Sequence, residues 1–183
     1  MILAPLYREH RIAESGRIVD LNLLMAEQMT ADEYSRAHSS LVIPTHDAVI
    51  TYNGGIVLLE RDTAPLKGFL WTPGGRVMRG VPAEVSLKSK VKAECGLEIN
   101  NLQFAGVERA FMAEDPFGHD RGTDTLGLMY FADGSGELSL DTNHRRVFVV
   151  KPKEYDGFRD RLHSFITRYT DEAIARLANL QVK

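Results

Sequence analysis

The stretch LVIPTHDAVITYNGGIVLLE, residues 41–60, constrains the fold of this chain more than any other. Two runs rich in β-branched residues flank Asn53-Gly54, the pairing that most strongly signals a tight hairpin turn. A β-hairpin is therefore expected, with its second strand ending at Arg61. Residues 69–72 read as a brief strand that stops at Pro73-Gly74-Gly75. Pro82 then stands where a first helical residue belongs and Gly96 where a helix stops, the expected asymmetry of helix ends. Between them Ala83, Leu87, Val91 and Cys95 recur every four residues and form an apolar stripe. Lys90 and Glu94 lie along one edge of that stripe, Lys88 and Lys92 along the other.

Around this centre the signals are weaker. Thr30-Ala-Asp-Glu33 is a capping-box pattern that opens a short helix ending near His38. Residues 18–29 hold one apolar segment that reads as either strand or helix. Further strands are expected over residues 102–111, 123–132, 137–140 and 147–150. From residue 158 the tail is amphipathic, with Leu162, Phe165, Ile166, Tyr169, Ile174 and Leu177 at helical spacing. Trp71 and Phe69 are expected in the core. Strands and helices mix without strict βαβ alternation, which predicts an α/β or α+β fold with a mixed sheet.

At 183 residues the chain suits one domain. Its net charge of −3 argues against non-specific nucleic-acid binding, which needs a basic footprint. A single cysteine, Cys95, excludes an internal disulfide framework and a cysteine-based zinc cage, and fits a reducing compartment. No apolar run approaches the length of a membrane span. The opening MILAPLYREHRIAESG carries Arg8, Glu9 and Arg11 and lacks the basic-then-apolar order of a signal peptide, so a cytoplasmic location is expected.

The strand, the Gly-Gly loop, the helix and Glu94-Cys95-Gly96-Leu97 together resemble the Nudix box of the Nudix hydrolase superfamily. Gly75 takes the position of the box glycine, Val91 that of its apolar residue and Glu94 that of its final acid. Val81, Ser89, Lys90 and Ala93 stand where the box has Glu, Arg, Glu and Glu, so the box is degenerate. Within the superfamily the chain looks most like the GDP-mannose mannosyl hydrolases. The shared features are Pro73 to Val77, Ala93-Glu94, the surroundings of Asp32, then Asp47, Arg61 and Gly122-Thr123-Asp124.

That resemblance covers roughly residues 30–155. It implies an α/β/α sandwich whose box helix carries metal ligands. It also implies Mg²⁺ (or Mn²⁺) as cofactor and a small-molecule substrate in which a nucleoside diphosphate is linked to another moiety, with a nucleotide sugar foremost. Neither nucleic acid nor membrane is an expected partner, and relatives of this kind often form homodimers. The expected organisation is an N-terminal extension over residues 1–29, packed on the core or on a partner subunit. A Nudix-like domain follows over 30–157, with its C-terminal amphipathic helix over 158–183.

Glu94, with the backbone carbonyl of Gly74 or Gly75, suffices for Mg²⁺ once a pyrophosphate arrives, because this ion accepts one or two carboxylates plus phosphate oxygens and waters. The bland alternative is an exposed helix-end acid paired with Lys90. Lys90 either clamps the diphosphate or is a solvated lysine, and its charge predicts weak metal binding without substrate. Arg76 and Arg61 are the expected anion contacts. Asp47, by resemblance a sugar ligand, alternatively bonds within the sheet. No histidine follows Gly122-Thr123-Asp124, where the mannosyl hydrolases keep their base. A replacement base is sought in residues 112–124, among Glu114, Asp115, His119, Asp120 and Asp124, with His119 the one that titrates near neutrality. Asp124 is also a candidate substrate contact. A Nudix-shaped module that binds a nucleotide or nucleotide sugar without hydrolysing it is the alternative function.

Overall fold

The computed structural model describes residues 7–12, 17–26 and 29–180. The hairpin forms as expected, from β1 (Ile43–Tyr52) and β2 (Gly55–Arg61). Short strands β3 (Leu70–Trp71) and β4 (Gly74–Arg76) follow, then helix α3 (Ala83–Cys95). Two long strands, β5 (Glu98–Met112) and β6 (Thr123–Ser135), pair with each other, and β7 (His144–Val150) returns to β2. Before the hairpin lie a single turn, α1 (Leu21–Leu24), and α2 (Ala31–His38). After β7 come a second short turn, α4 (Asp156–Arg159), and the long α5 (Ser164–Leu180).

The sheet runs β3-β2-β1-β6-β5, with β4 also on β1 and β7 also on β2. Its one parallel pair, β1 with β6, makes it mixed. Alternation along the strands decides which helix each face receives. Ala48 and Ile50 of β1 and Val57 and Leu59 of β2 pack with Leu87, Val91 and Cys95 of α3. Val49, Ile56 and Leu58 point the other way, onto Ile166, Tyr169 and Ala173 of α5. The result is the expected α/β/α sandwich. The apolar stripe of α3 is fully buried, and Gly96 ends the helix with a left-handed φ of 76°.

One expected strand does not form. Residues 137–140 run along the C-terminal end of α3, where Ser139 N–H donates to Cys95 O and Asp141 N–H to Glu94 O. These donors satisfy carbonyls that a helix end leaves without partners, and that use displaces strand pairing. The capping box at Thr30 and Glu33 is present as read. Tyr7 of the N-terminal segment stacks on Phe104, with ring centroids 5.5 Å apart. Glu9 Oε1 accepts the N–H of Ala83, the first residue of α3. Among the described residues no helix is long and apolar enough to cross a membrane.

Candidate active site

Asp47 and Glu94 meet across Gly74 although they lie on different layers of the sandwich. Asp47 sits on β1 with its side chain on the α5 side; Glu94 sits in the last turn of α3. The two approach because β4 carries no side chain between them. Gly74 N–H donates to Glu94 Oε2 at 2.9 Å, and a Cβ on Gly74 would lie 2.9 Å from Asp47 Oδ1. It would also lie 2.2 Å from the carbonyl oxygen of His46, so only glycine fits. Gly75, at a φ of 132°, is the second position that requires glycine.

Both acids are held well above the ordinary carboxylate range. Burial pushes Asp47 up to about 7, against the pull of its hydrogen bond from Trp71 Nε1 at 3.0 Å and of the Arg61 charge. Burial likewise pushes Glu94 up to about 7; the Gly74 N–H opposes this, the like charges of Asp47 and Asp141 add to it, and Lys90 opposes it. Arg61 is drawn below its usual range by burial and back up by Asp47 and Glu94. Its Nε donates to Pro65 O at 2.8 Å, which anchors the guanidinium at the cleft, near enough for its charge to act on Asp47.

These groups line a cleft of about 210 Å³, together with Arg76 and Trp71. Arg76 is exposed and lies over the ring of Tyr34, 4.4 Å from its centroid. Trp71, expected in the core, instead forms a cleft wall, stacked on Phe165 at 5.4 Å. Phe69 is 39% exposed, edge-on to His163. Trp71 still packs against the α5-side core while its ring walls the cleft, whereas Phe69 lies outside the core.

Among the residues singled out from the sequence, Asp47, Arg61, Gly74, Gly75, Arg76 and Glu94 share this cleft, whereas Lys90, Glu114, Asp115, His119, Asp120 and Asp124 lie outside its lining. Asp124 points to the opposite face from Thr123 and Thr125, which do line the cleft, and is held by Arg109 at 2.7 and 2.8 Å. The two-residue period of β6 decides this. Lys90 is one turn behind Glu94 on α3, close enough to act on Glu94 and His46 through its charge but away from the cleft wall. His119 stands behind His38: His119 Nε2 and His38 Nδ1 are 2.9 Å apart, and it is His38 that lines the cleft. Gly75 is opposite His46 in the β1–β4 ladder. The flanking bonds Ala48 N–H to Pro73 O and Val77 N–H to Pro44 O make 46 and 75 the hydrogen-bonded pair between them, so the Gly75 carbonyl faces β1. Gly74 contributes its N–H to Glu94.

Two histidines of the cleft escaped sequence reading. His144 opens β7, and its Nδ1 lies 2.7 Å from Asp141 Oδ1. The Asp141-x-x-His144 spacing was the available signal. His38, at the end of α2, is kept below its ordinary value by burial and then by His119, with Asp115 opposing. Nothing local in the sequence marks it. Asp115 accepts the N–H groups of Phe117, His119 and Asp120, and the loop so shaped meets α2 through Phe117 against Tyr34 and His38 and through His119 against His38.

No three His, Cys, Asp or Glu side chains among the described residues converge as a metal cage. The donors that do converge are carboxylate oxygens, the class Mg²⁺ and Mn²⁺ take. Two acids, Asp47 buried and Glu94 half-buried, each held near 7 by desolvation with the charge of Asp47 adding at Glu94, form a pair that a divalent cation would relieve. The residues present therefore fit a half-site completed by phosphate oxygens.

This sandwich, with its glycine loop leading into a helix that ends in Glu94, is the Nudix fold. No family model matches the chain. A Nudix hydrolase from Nitrosomonas europaea superposes with a TM-score of 0.58 at 18% identity, over 72% of this chain and 87% of that one. The MutT Nudix hydrolase of Burkholderia pseudomallei does so with a TM-score of 0.53 at 22% identity, over 74% and 98%. By sequence the chain is similar to the low-salt glycan biosynthesis protein Agl8 of Haloferax volcanii, 26% identical over 141 residues, covering 76% of this chain and 87% of that protein.

Proposed function

We propose that this chain hydrolyses a nucleoside diphosphate linked to a second moiety, a nucleotide sugar of the GDP-mannose type being the substrate class, with Mg²⁺ or Mn²⁺ bound alongside the substrate. The observation that carries this reading is the pair Asp47 and Glu94 flanking Gly74 in a cleft that also holds Arg61 and Arg76. The arginines grip the diphosphate, Arg76 from the open rim and Arg61 from the floor. Glu94 and Asp47 would hold the cation, which when bound neutralises phosphate charge. Glu94, held near 7 in the empty cleft, would be favoured as the carboxylate where a cation binds. His144, oriented through Nδ1 by Asp141, presents its other nitrogen as the base that takes a proton from the attacking water. The name of the haloarchaeal relative, a glycan biosynthesis protein, supports a sugar-bearing substrate.

The test is incubation with a panel of nucleotide sugars and dinucleotides in Mg²⁺ or Mn²⁺, with chromatography of the products. Turnover of at least one nucleotide sugar is expected. Changing His144→Gln should lower kcat by about 10²–10⁴, the usual contribution of a general base, and Glu94→Gln should lower it as severely. Absence of turnover above buffer, or full activity in both variants, would refute the reading.

A second reading, a module that binds nucleotides without hydrolysing them, draws on the lack of a three-ligand cage among the described residues. It requires nucleotide-dependent thermal stabilisation that survives EDTA, since any ligand of the native state raises apparent stability. Loss of that stabilisation in EDTA would exclude it.

A further inference from the structure

The loop after β5 and helix α2 meet through two imidazole rings, and the backbone decides where their protons sit. Arg121 N–H donates to His119 Nδ1 at 3.2 Å, so that ring keeps a lone pair on Nδ1 and its proton on Nε2. His119 Nε2 is 2.9 Å from His38 Nδ1, which therefore accepts. Were Asp115, 3.5 Å from His119 Nδ1, to hold that ring as a cation, Nε2 would still donate and the direction of the bond would stand. His38 thus carries its own proton on Nε2.

Among the described residues no group bonds to His38 Nε2, and it is not one of the occluded polar atoms that lack a partner. The nitrogen that His38 offers the cleft is therefore an N–H, with no lone pair to take a proton. His144 is arranged the other way. Its Nδ1–H is turned to Asp141, which leaves the lone pair on Nε2.

His38 and the two acids stand at opposite ends of the cleft. Ile43, Thr45 and Asp47 follow one another along the cleft side of β1, and Ile43 to Asp47 spans about 13 Å at the usual strand rise. Arg76 pairs with Thr45, one step from Asp47 towards the start of β1. Past Ile43, which is level with Thr125 of β6, come the paired Thr123 and Met112, and then the loop whose Phe117 and His119 meet His38. A diphosphate held by the acids, Arg61 and Arg76 leaves this end for the group joined to it. Ile43, Met112 and Pro116 are apolar there, and the Thr123 hydroxyl is already given to Glu114 O.

We propose that His38 is a specificity contact of the substrate: its Nε2–H donates to a neutral oxygen, hydroxyl or carbonyl, of the group joined to the diphosphate, and it takes no proton in turnover. This role rests on the proposed substrate class.

Trp71 is the only tryptophan of the chain and walls the cleft, so its fluorescence reports binding. The experiment titrates wild type, His38→Phe and His38→Gln with nucleoside diphosphates, a hexose 1-phosphate and inorganic pyrophosphate. His38→Phe keeps a ring without a donor, and His38→Gln keeps an N–H at similar reach. Loss of one neutral hydrogen bond should weaken an organic phosphate about three- to tenfold in His38→Phe, with recovery in His38→Gln. A loss with nucleotides places base or ribose at His38; a loss with the hexose phosphate places the sugar there; either supports the contact. Pyrophosphate, which lacks such a group, should bind the variants as it binds the wild type. Nitrogen NMR of wild type labelled in its histidines should show His38 protonated at Nε2 and bare at Nδ1. The opposite tautomer overturns the proposal. So does unchanged affinity for both organic phosphates, failure of both to bind the wild type, or an equal loss for pyrophosphate. In turnover, His38→Phe should raise KM and leave kcat nearly unchanged. The reverse split would make His38 a base and overturn the contact while the hydrolase reading stood. His38-dependent binding without turnover of any nucleotide sugar would leave the contact standing while the hydrolase reading fell.

Discussion

Asp47 and Glu94 make the protein's stability depend on pH in a direction opposite to that of most carboxylates. Each has its folded value near 7, above the ordinary carboxylate value of about 4 in an unfolded chain. Between those values the native state holds protons that the unfolded state releases. Stability is therefore highest below about pH 4 as far as these two groups are concerned, falls as pH rises to about 7, and is level above that. In metal-free buffer the wild type should lose several degrees of Tm between pH 5 and pH 7.5, relative to Glu94→Gln, which keeps one amide in place of the titrating acid. A change of about 1 kcal/mol moves Tm by about 2–4 °C in a chain of this size. Thermal melts of both proteins across that range measure it, and parallel curves would show that Glu94 is ionised at ordinary cost.

At the scale of elements, α3 determines whether Glu94 reaches the cleft. Its N-cap residue Pro82 makes no side-chain hydrogen bond, and the carboxylate of Glu9 takes over by accepting the Ala83 N–H at 2.8 Å. A carboxylate there also favours the positive end of the helix dipole. Glu9→Ala should cost about 1 kcal/mol, the usual value of a lost cap, read as a Tm lower by about 2–4 °C. An unchanged Tm would mean that water serves the helix end equally well. At the opposite end, the N–H groups of Ser139 and Asp141 serve the carbonyls of Cys95 and Glu94. The helix that holds the site is thus finished at both ends by segments distant in sequence.

Across the whole molecule, the cleft opens where the two packed faces of the sheet come together at β4. The α5 layer supplies the Phe165 that backs Trp71, and its packing rests on Ile166, which is fully buried against Val49, Leu58 and Met129. Ile166→Ala should cost about 2–5 kcal/mol by leaving a cavity. A chemical denaturation curve checks this, with an unchanged midpoint showing that α5 contributes little. Arg161, just before α5, also reaches back to the buried carboxylate of Glu60 on β2, as does Arg146 of β7. Removal of α5 should disturb the sheet as well as the cleft wall, because Val49, Leu58 and Met129 would lose the cover of Ile166, Tyr169 and Ala173.

The sequence by itself determined the features whose causes are local: the Asn53-Gly54 hairpin, the capping box of α2 and the span of α3 between Pro82 and Gly96. Turn chemistry and side-chain periodicity act over a few residues and need no partner. It also marked Arg76 and Glu94, because a glycine loop before a helix leaves a recognisable spacing, while Asp47 and Arg61 were marked by the family resemblance. Tertiary structure alone decided which of the candidates face one another. Asp124 turned away because β6 alternates, His119 ended behind His38, and Ser139 and Asp141 gave their N–H donors to a helix end instead of a neighbouring strand. Burial set the charge state of Asp47 and Glu94, and the return of the chain at β7 carried His144 to the cleft. Desolvation and long-range pairing depend on everything that surrounds a residue, so no window of sequence contains them.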